Sequence, residues 1–521
     1  MCGLAGVWRL GGSSLDELEF SAGSMARAIH HRGPDDFGIW SDSTSGFALA
    51  HKRLAVLDLT PAGHQPMRSA SGRFVMAFNG EIYNHRDLRK QLENVRRVKR
   101  PWDGHSDTET LLAAIEAWGL TSALERSAGM FALALWDRAE RRLHLARDRF
   151  GEKPLYWGWL QQGHQRLLAF ASELAALRAL PGVVKPRCNP SAVQAFFQFG
   201  CIPAPLCIYE GLHQLQPGHW VQLDTPDQTA TPQPWWDAQQ HCQAAAATHD
   251  EFSSPQSALE VLHSTLQEVI REQALADVPL GTFLSGGIDS SLITALLQAQ
   301  STRPVRSFTI AFPDSAGFNE APFAASVAAH LGTEHTEVPL TAQDALALIP
   351  QLPRLYSEPF ADSSQLPTHL VCREARRSGL TVALSGDGGD ELFGGYNRHR
   401  LAPALQSRFG SVPHVARRAI ARGLEHLPVS TDGLTRDKRR KLAAAIRAAG
   451  SLQELYGALT SLWPDPAAVL QPHWRSQKQT SAPWPMAPSP ADQLMLADVG
   501  TYLPSDILVK VDRAAMAASL E

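Results

Sequence analysis

The sequence predicts two domains of different class: an α+β domain of packed antiparallel sheets, then an α/β domain on a parallel sheet. Three observations carry this. The first is length, since 521 residues is too long for one compact core at roughly 100–200 residues per domain. The second is a change of period near Ser254, from short strands joined by polar turns to strands separated by helices of about 10–15 residues. The third is a Pro-punctuated stretch between the two patterns, with Pro203, Pro205, Pro217, Pro232 and Pro234. The expected boundaries are 1–190 for the first domain, 191–250 for a connecting segment and 251–521 for the second.

Composition excludes several classes. Lys+Arg 48 against Asp+Glu 52 leaves a net charge of −4 with no charge run, so no nucleic-acid partner is expected. A membrane span needs about 20 apolar residues, and runs such as Met130 to Trp136 are far shorter. Six Cys without a C-x-x-C pair are neither a disulfide framework nor a zinc site. The start, Met-Cys-Gly, lacks the basic and apolar regions of a signal peptide, so a cytoplasmic enzyme is expected.

The elements follow in order. Arg73–Phe78 is an apolar run ending at Asn79-Gly80, a turn dipeptide. Asp107–Trp118 reads as a helix, with Ser106 and Glu109 spaced as a capping box. "MFALALWD" and "RRLHLARD" face each other across a short turn, and Arg166–Glu173 is a further buried strand. "QQHCQAAAATHDEFSS" reads as linker. Then come a helix, the strand "VPLGTFL", the helix "SSLITALLQAQ", the strand "VRSFTIAF", a helix stopped by Gly332, "HTEVPL", further helix and "LTVALSG". Residues 400–495 are rich in Ala, Arg and Leu and are expected to be helical.

Two glycine loops in the second domain carry chemistry. "FLSGGIDSS", Phe283–Ser291, follows a strand and opens a helix. Gly286 and Gly287 let the backbone turn N–H groups toward an anion, and Ser285, Ser290 and Ser291 add hydroxyls at the positive end of the helix. No lysine is present, so this is not the loop that grips a transferring γ-phosphate. Asp289 would repel a phosphate unless a divalent cation bridged them, which predicts Mg²⁺. The second loop, Leu384–Tyr396, presents Asp387, Asp390 and Glu391 among five glycines.

The first domain offers a thiol. With the initiator Met removed, Cys2 carries a nucleophile and an α-amine base on one residue. Attack on a carboxamide needs an oxyanion hole, which Asn79 and Gly80 can supply as one side-chain and one backbone N–H. A free amino acid needs its carboxylate and amine held, and Arg53 with Glu81 and Asp107 fits that need. Singly, each has a plainer explanation: an incidental Cys, a turn, a helix cap. Together with "HRGPD" (31–35), "NGEIYN" (79–84) and "RDRFGEKPLYW" (147–157) they do not.

Those motifs resemble the class II glutamine amidotransferase domain, and the two loops resemble the ATP-pyrophosphatase loops of the glutamine-hydrolysing asparagine synthetase family. The resemblance implies an N-terminal-nucleophile αββα sandwich followed by a doubly wound parallel-sheet ATP-pyrophosphatase domain. It implies Cys2 as nucleophile, Asn79 and Gly80 as oxyanion hole, and Arg53, Glu81 and Asp107 as glutamine clamp. It implies ATP contacts from Leu284, Ser285, Gly286, Gly287, Asp289, Ser290, Ser291, Ile310, Ser385 and Gly386, with Mg²⁺ on Asp289 and Asp390. "SFTIAF" (307–312) and "EPFADSS" (358–364) look like segments lining the nucleotide and acceptor pocket, which gives acceptor or adenylation roles to Glu358, Asp362 and Asp387, the last at a position the family often fills with Glu. Implied substrates are glutamine, aspartate and ATP; a homodimer is left open. In relatives "LPSDILVKVDRAAMAASLE" (503–521) runs on into V-R-x-P-F-L-D and a lysine-bearing segment absent here. A synthetase site incomplete as given is therefore expected, unless Lys510 or another group substitutes. Rival readings are the same chemistry on another carboxylate, such as a sugar acid of a surface polysaccharide, a glutaminase alone, and a non-enzymatic regulatory subunit.

Overall fold

The computed structural model describes residues 2–95, 101–248, 252, 254–313, 317, 319–426, 433–463, 465–475 and 484–521. Its first half is two six-stranded antiparallel sheets packed face to face. The strands are β1 (Gly3–Trp8), β2 (Asp36–Asp42), β3 (Phe47–Arg53), β4 (Met67–Arg68), β5 (Phe74–Ile82), β6 (Gly129–Asp137), β7 (Arg142–Arg147), β8 (Tyr156–Gln162), β9 (Gln165–Ala171), β10 (Leu212–Gln214), β11 (His219–Leu223) and β12 (Gln233–Pro234). One sheet runs β10-β8-β9-β1-β3-β2 and the other β12-β11-β7-β6-β5-β4.

Period-two alternation explains the layering. On β6, Ala132, Ala134 and Trp136 face the other sheet, whereas Phe131, Leu133 and Leu135 face the helices at His85–Val95 and Asp107–Trp118. On β1, Leu4 and Trp8 point between the sheets, and Ala5 and Val7 meet the helix Leu15–Ala28. Both faces of each sheet are thus covered, and the layers are helix, sheet, sheet, helix. Between the sheets Phe47 stacks on Trp136 at 4.1 Å, with Trp8 edge-on to Trp136 at 5.0 Å. Gly6 sits here because a Cβ would lie 2.2 Å from the Phe170 ring.

The structure departs from the sequence reading in three places. Asn79-Gly80 is not a turn: β5 continues through it to Ile82, with Asn79 opposite Ala132 and Gly80 opposite Phe131. The partner strand overrides the local turn preference. Residues 191–250, expected as a connecting segment, supply β10 to the first sheet and β11 and β12 to the second, so much of that stretch belongs to the sandwich. Ala238–Thr248, read as linker, is a helix, as an alanine run favours; residues 249–251 and 253 of the same stretch lie outside the described residues.

The second half holds a four-stranded parallel sheet of β13 (Leu280–Phe283), β14 (Arg306–Ala311), β15 (Glu334–Pro339) and β16 (Val382–Leu384). Its order is β15-β14-β13-β16, so the winding reverses between β13 and β16. In such sheets the crevice for a ligand opens at the carboxyl ends of the two strands flanking that reversal. Helices Gln365–Arg377 and Leu508–Met516 cover one face around Phe308, Cys372 and Ala515. Helices Pro255–Gln273 and Ile288–Gln300 meet around Ile270 and Leu296. No described helix is long and apolar enough to cross a membrane. Trp136→Ala is expected to cost about 3–5 kcal/mol, read as a lower urea midpoint; an unchanged midpoint would show that the inter-sheet stack is not what holds the sandwich.

Candidate active sites

Cys2 enters β1, which lies between β3 and β9 in the first sheet. It is buried, at 6% exposure. Its nitrogen donates to Asn79 Oδ1 at 3.0 Å, its carbonyl accepts from Arg32 Nε at 3.1 Å, and its sulfur lies 3.9 Å from the Leu54 carbonyl. Met1, whose removal would free the Cys2 amine, lies outside the described residues. Burial pushes the thiol up, and Arg53 and the Leu54 carbonyl contact oppose it.

Asn79 is fully buried, and with its oxygen facing the Cys2 nitrogen its amide Nδ2 has no hydrogen-bond partner. A buried donor without an acceptor costs free energy unless a ligand supplies one. Gly80 follows at the point where β6 comes closest: a Cβ there would sit 2.0 Å from the Met130 carbonyl.

The three clamp residues converge on the same pocket, which Cys2, Arg53, Gly80, Glu81 and Asp107 line together with Glu521. Arg53, at the end of β3, is aimed by the carbonyls of Leu57 at 3.1 Å, Thr60 at 3.3 Å and Asp58. Asp107 does not simply cap its helix. Ser106 does that by accepting from Glu109 N, while Asp107 accepts from Ile82 N at 2.8 Å and so ties the helix start to β5. The reciprocal half of the capping box is missing, because Glu109 turns to the amides of Asp103 and Gly104. Burial, then the charge of Asp107, pushes Glu81 up to about 7, and its Oε1 has no partner. Burial also raises Asp107. Two buried acids above their ordinary range call for a cation between them.

The second site lies at the winding reversal. The loop after β13 and the loop after β16 leave neighbouring strand ends and touch: a Cβ on Gly386 would lie 2.8 Å from Ser290 N, and one on Gly389 2.7 Å from the Asp289 carboxyl carbon. Gly286, at φ +82, makes the turn, and a side chain would strike Ala324 N at 2.7 Å. The loop serines hold one another, Ser285 Oγ and Ser290 Oγ lying 2.9 Å apart, while Ser291 Oγ has no partner. Burial, then the charge of Asp390, raises Asp289. Two neighbouring carboxylates suit Mg²⁺, which takes one or two carboxylates and completes its shell with phosphate oxygens and water. Among the described residues no cluster of three His, Cys, Asp or Glu forms a fuller metal cage. Asp387 is held by Ser385 Oγ at 2.7 Å, Leu284 is buried under Ala324 and Ala328, and Ile310 is half-buried on β14.

The acceptor candidates divide. Asp362 pairs with Lys510 at 3.5 Å, and Asp506, which the sequence reading missed, sits beside them raised to about 7 by burial and then by Asp362. Glu358 faces the first half instead, accepting from Tyr156 Oη at 2.7 Å, Ile208 N at 2.7 Å and Gln214 Nε2 at 3.3 Å. Arg32, Glu173, Asp512 and Arg513 were also missed, although "HRGPD" and the late segment contain three of them.

A thiol pocket in a double antiparallel sandwich, joined to a nucleotide-type crevice in a parallel sheet, defines a glutamine amidotransferase coupled to a synthetase. The family described as "Glutamine amidotransferase domain" matches residues 1–236, and that described as "Asparagine synthase" matches residues 261–521. The chain belongs to the glutamine-hydrolysing asparagine synthetase family. It is 34% identical to a provisionally named glutamine-hydrolysing asparagine synthetase of Mycobacterium tuberculosis, over 100% of this chain and 79% of that one. It is 29% identical to asparagine synthetase 1 of Bacillus subtilis, over 100% and 78%. Identity to asparagine synthetase B of Escherichia coli is 30%, over 77% and 66%.

Glu81 generates a pH prediction. Its carboxylate form, the one an ammonium would pair with, predominates above about 7. KM for glutamine is therefore expected to fall as pH rises from about 6 to about 8, and Glu81→Gln to raise KM and flatten the profile. A flat profile in the parent chain would contradict the assignment.

Proposed function

We propose that this chain makes asparagine from aspartate, glutamine and ATP. The observation that carries the first half of the reading is the unpartnered amide of Asn79, buried beside Cys2. Cys2 sulfur attacks the glutamine carboxamide carbon, and the oxyanion that forms is met by Asn79 Nδ2 and the Gly80 N–H. The α-amine of Cys2 takes the thiol proton and returns it to the departing ammonia. Water then splits the thioester, releasing glutamate. Arg53 holds the substrate carboxylate, and Glu81 with Asp107 its ammonium.

In the second half an oxygen of the aspartate side-chain carboxylate attacks the α-phosphorus of ATP and pyrophosphate leaves. Ammonia then attacks the acyl carbon and AMP leaves. In this reading Ser285, Ser290, Ser291 and the loop amides hold the pyrophosphate. Bound at Asp289 and Asp390, Mg²⁺ would neutralise the charge that accumulates on it. Aspartate as acceptor rests on the names of the relatives, and Asp362 and Asp387 are the residues proposed to meet it.

The test is an assay with glutamine, aspartate and Mg-ATP that reads asparagine, AMP and pyrophosphate; a product from another acceptor but none from aspartate would redirect the reading. Cys2→Ala should lower glutamate release about a thousandfold or more and leave ammonium-driven synthesis in place. Loss of both would overturn the division of labour. Asp289→Ala should reduce pyrophosphate release by about a hundredfold, and unchanged release would remove the metal role.

A further inference from the structure

The seam between the halves holds a buried charged cluster that the reaction scheme above does not use. Arg32 is 0% exposed, and its guanidinium is shared three ways. Nε donates to the Cys2 carbonyl at 3.1 Å. Nη1 donates to Glu173 Oε1 at 2.9 Å and to Asp512 Oδ2 at 2.9 Å, and Nη2 to Asp512 Oδ1 at 2.8 Å. Cys2 and Glu173 belong to the sandwich. Asp512 belongs to the helix Leu508–Met516, which packs on Gln365–Arg377 in the synthetase half.

We propose that Asp512 is a positioning residue for the glutaminase reaction: through the guanidinium of Arg32 it sets where the carbonyl of Cys2, and hence the thiol, stands. A guanidinium is a rigid planar fork, so two bonds to one carboxylate fix its plane and leave the direction of Nε no freedom. Glu173 alone, one oxygen on one nitrogen, would let that plane turn. The nucleophile is sensitive to this because its own backbone, not a neighbour's, takes the Nε bond.

The cluster continues toward the acceptor segment. Arg513 Nη1 donates to Asp512 Oδ2 at 2.8 Å and Nη2 to Tyr156 Oη at 3.4 Å; Tyr156 Oη donates in turn to Glu358. The same helix carries Lys510, paired with Asp362. His31 reaches Glu173 Oε1 at 3.1 Å, and Ser519 Oγ donates to the His31 carbonyl at 2.6 Å. At its centre Arg32 and Arg513 face Glu173 and Asp512, so the charges of these four groups balance, with Lys153 also near Asp512. A simple latch would need only the balance; the direct bond to the carbonyl of the nucleophile is what assigns a role in the reaction.

The inference rests on Cys2 as nucleophile, and the experiment separates the two. In the full chain, kcat and KM for glutamate release are measured for the parent, Cys2→Ala, Asp512→Asn, Arg32→Lys and the double variant Arg32→Lys/Asp512→Asn. The Asp512→Asn change keeps the shape of the side chain but loses one acceptor and the charge. The Arg32→Lys change keeps a cation against Glu173 and Asp512 but loses the Nε donor. Because misplacing a reacting group by about 1 Å can cost about a hundredfold, each single variant should lose about ten- to a hundredfold in kcat with KM changed less than about threefold. The double variant should be no slower than the slower single one, since both break the same linkage. A parent-like kcat in either single variant, or losses that multiply in the double, overturns the proposal. A rise in KM that accounts for the loss also overturns it, because that is what a general loosening of the pocket would give. If the Asp512→Asn chain fails to accumulate, Arg32→Lys decides alone. Glutamate release retained by Cys2→Ala would instead overturn the reading of Cys2.

Discussion

The nucleophile proposed at residue 2 requires that the start of the chain be held as firmly as the core, whereas the first residues of a chain ordinarily fray. The pairing of β1 meets this constraint. Gly3–Trp8 runs between β3 and β9, with Leu4 and Trp8 pinned between the sheets and Ala5 and Val7 under the helix Leu15–Ala28. Cys2 is then the first residue beyond a strand that cannot slip, since a one-residue shift would turn Trp8 out of the inter-sheet layer. The rest of the pocket is built outward from that anchor: Arg53 ends the strand beside it, and Asn79 and Gly80 come from the facing sheet.

Both sites use one electrostatic device. In each, acids stand together: burial raises Glu81, Asp107 and Asp289, and the charge of Asp107 adds to Glu81 and that of Asp390 to Asp289. Neither pair has the arginine partner that would quieten it, as Asp137 has in Arg73 or Asp512 in Arg32. The repulsion, tempered at the first site by Lys153 near Glu81 and His85 near Asp107, is held in place by the surrounding fold, and a cationic group entering would relieve it further. An ammonium at one site and a divalent cation at the other are the groups proposed for such pairs.

What the sequence made legible depended on range. Helix Asp107–Trp118 and the strands flanking the two glycine loops were readable because period and stop signals are local. Asn79-Gly80 misled for the same reason: as a dipeptide it favours a turn, and only the register against β6 makes it strand interior. Cys2, Arg53, Gly80, Glu81 and Asp107, expected together from the companions a thiol at residue 2 would need, do line one pocket, and Asn79 meets the Cys2 nitrogen beside it. Arg32 was not assigned a role because its partner Asp512 lies 480 residues away, and no local pattern connects them.

The seam raises a question of physical choice. A surface of packed aliphatic side chains would hold two domains together at least as strongly as a buried ion cluster, because desolvating the charges consumes most of what their attraction returns. Aliphatic contact is non-directional, however, and tolerates sliding. A bidentate arginine–carboxylate pair does not: shifting Asp512 by one hydrogen-bond length strands two charges in a dry interior. Where one domain must release ammonia at a point fixed relative to the other, the angle between them matters more than the strength of the contact. The placement of the cluster against the carbonyl of Cys2, rather than elsewhere on the seam, puts that rigidity where the proposed chemistry of the first site would begin.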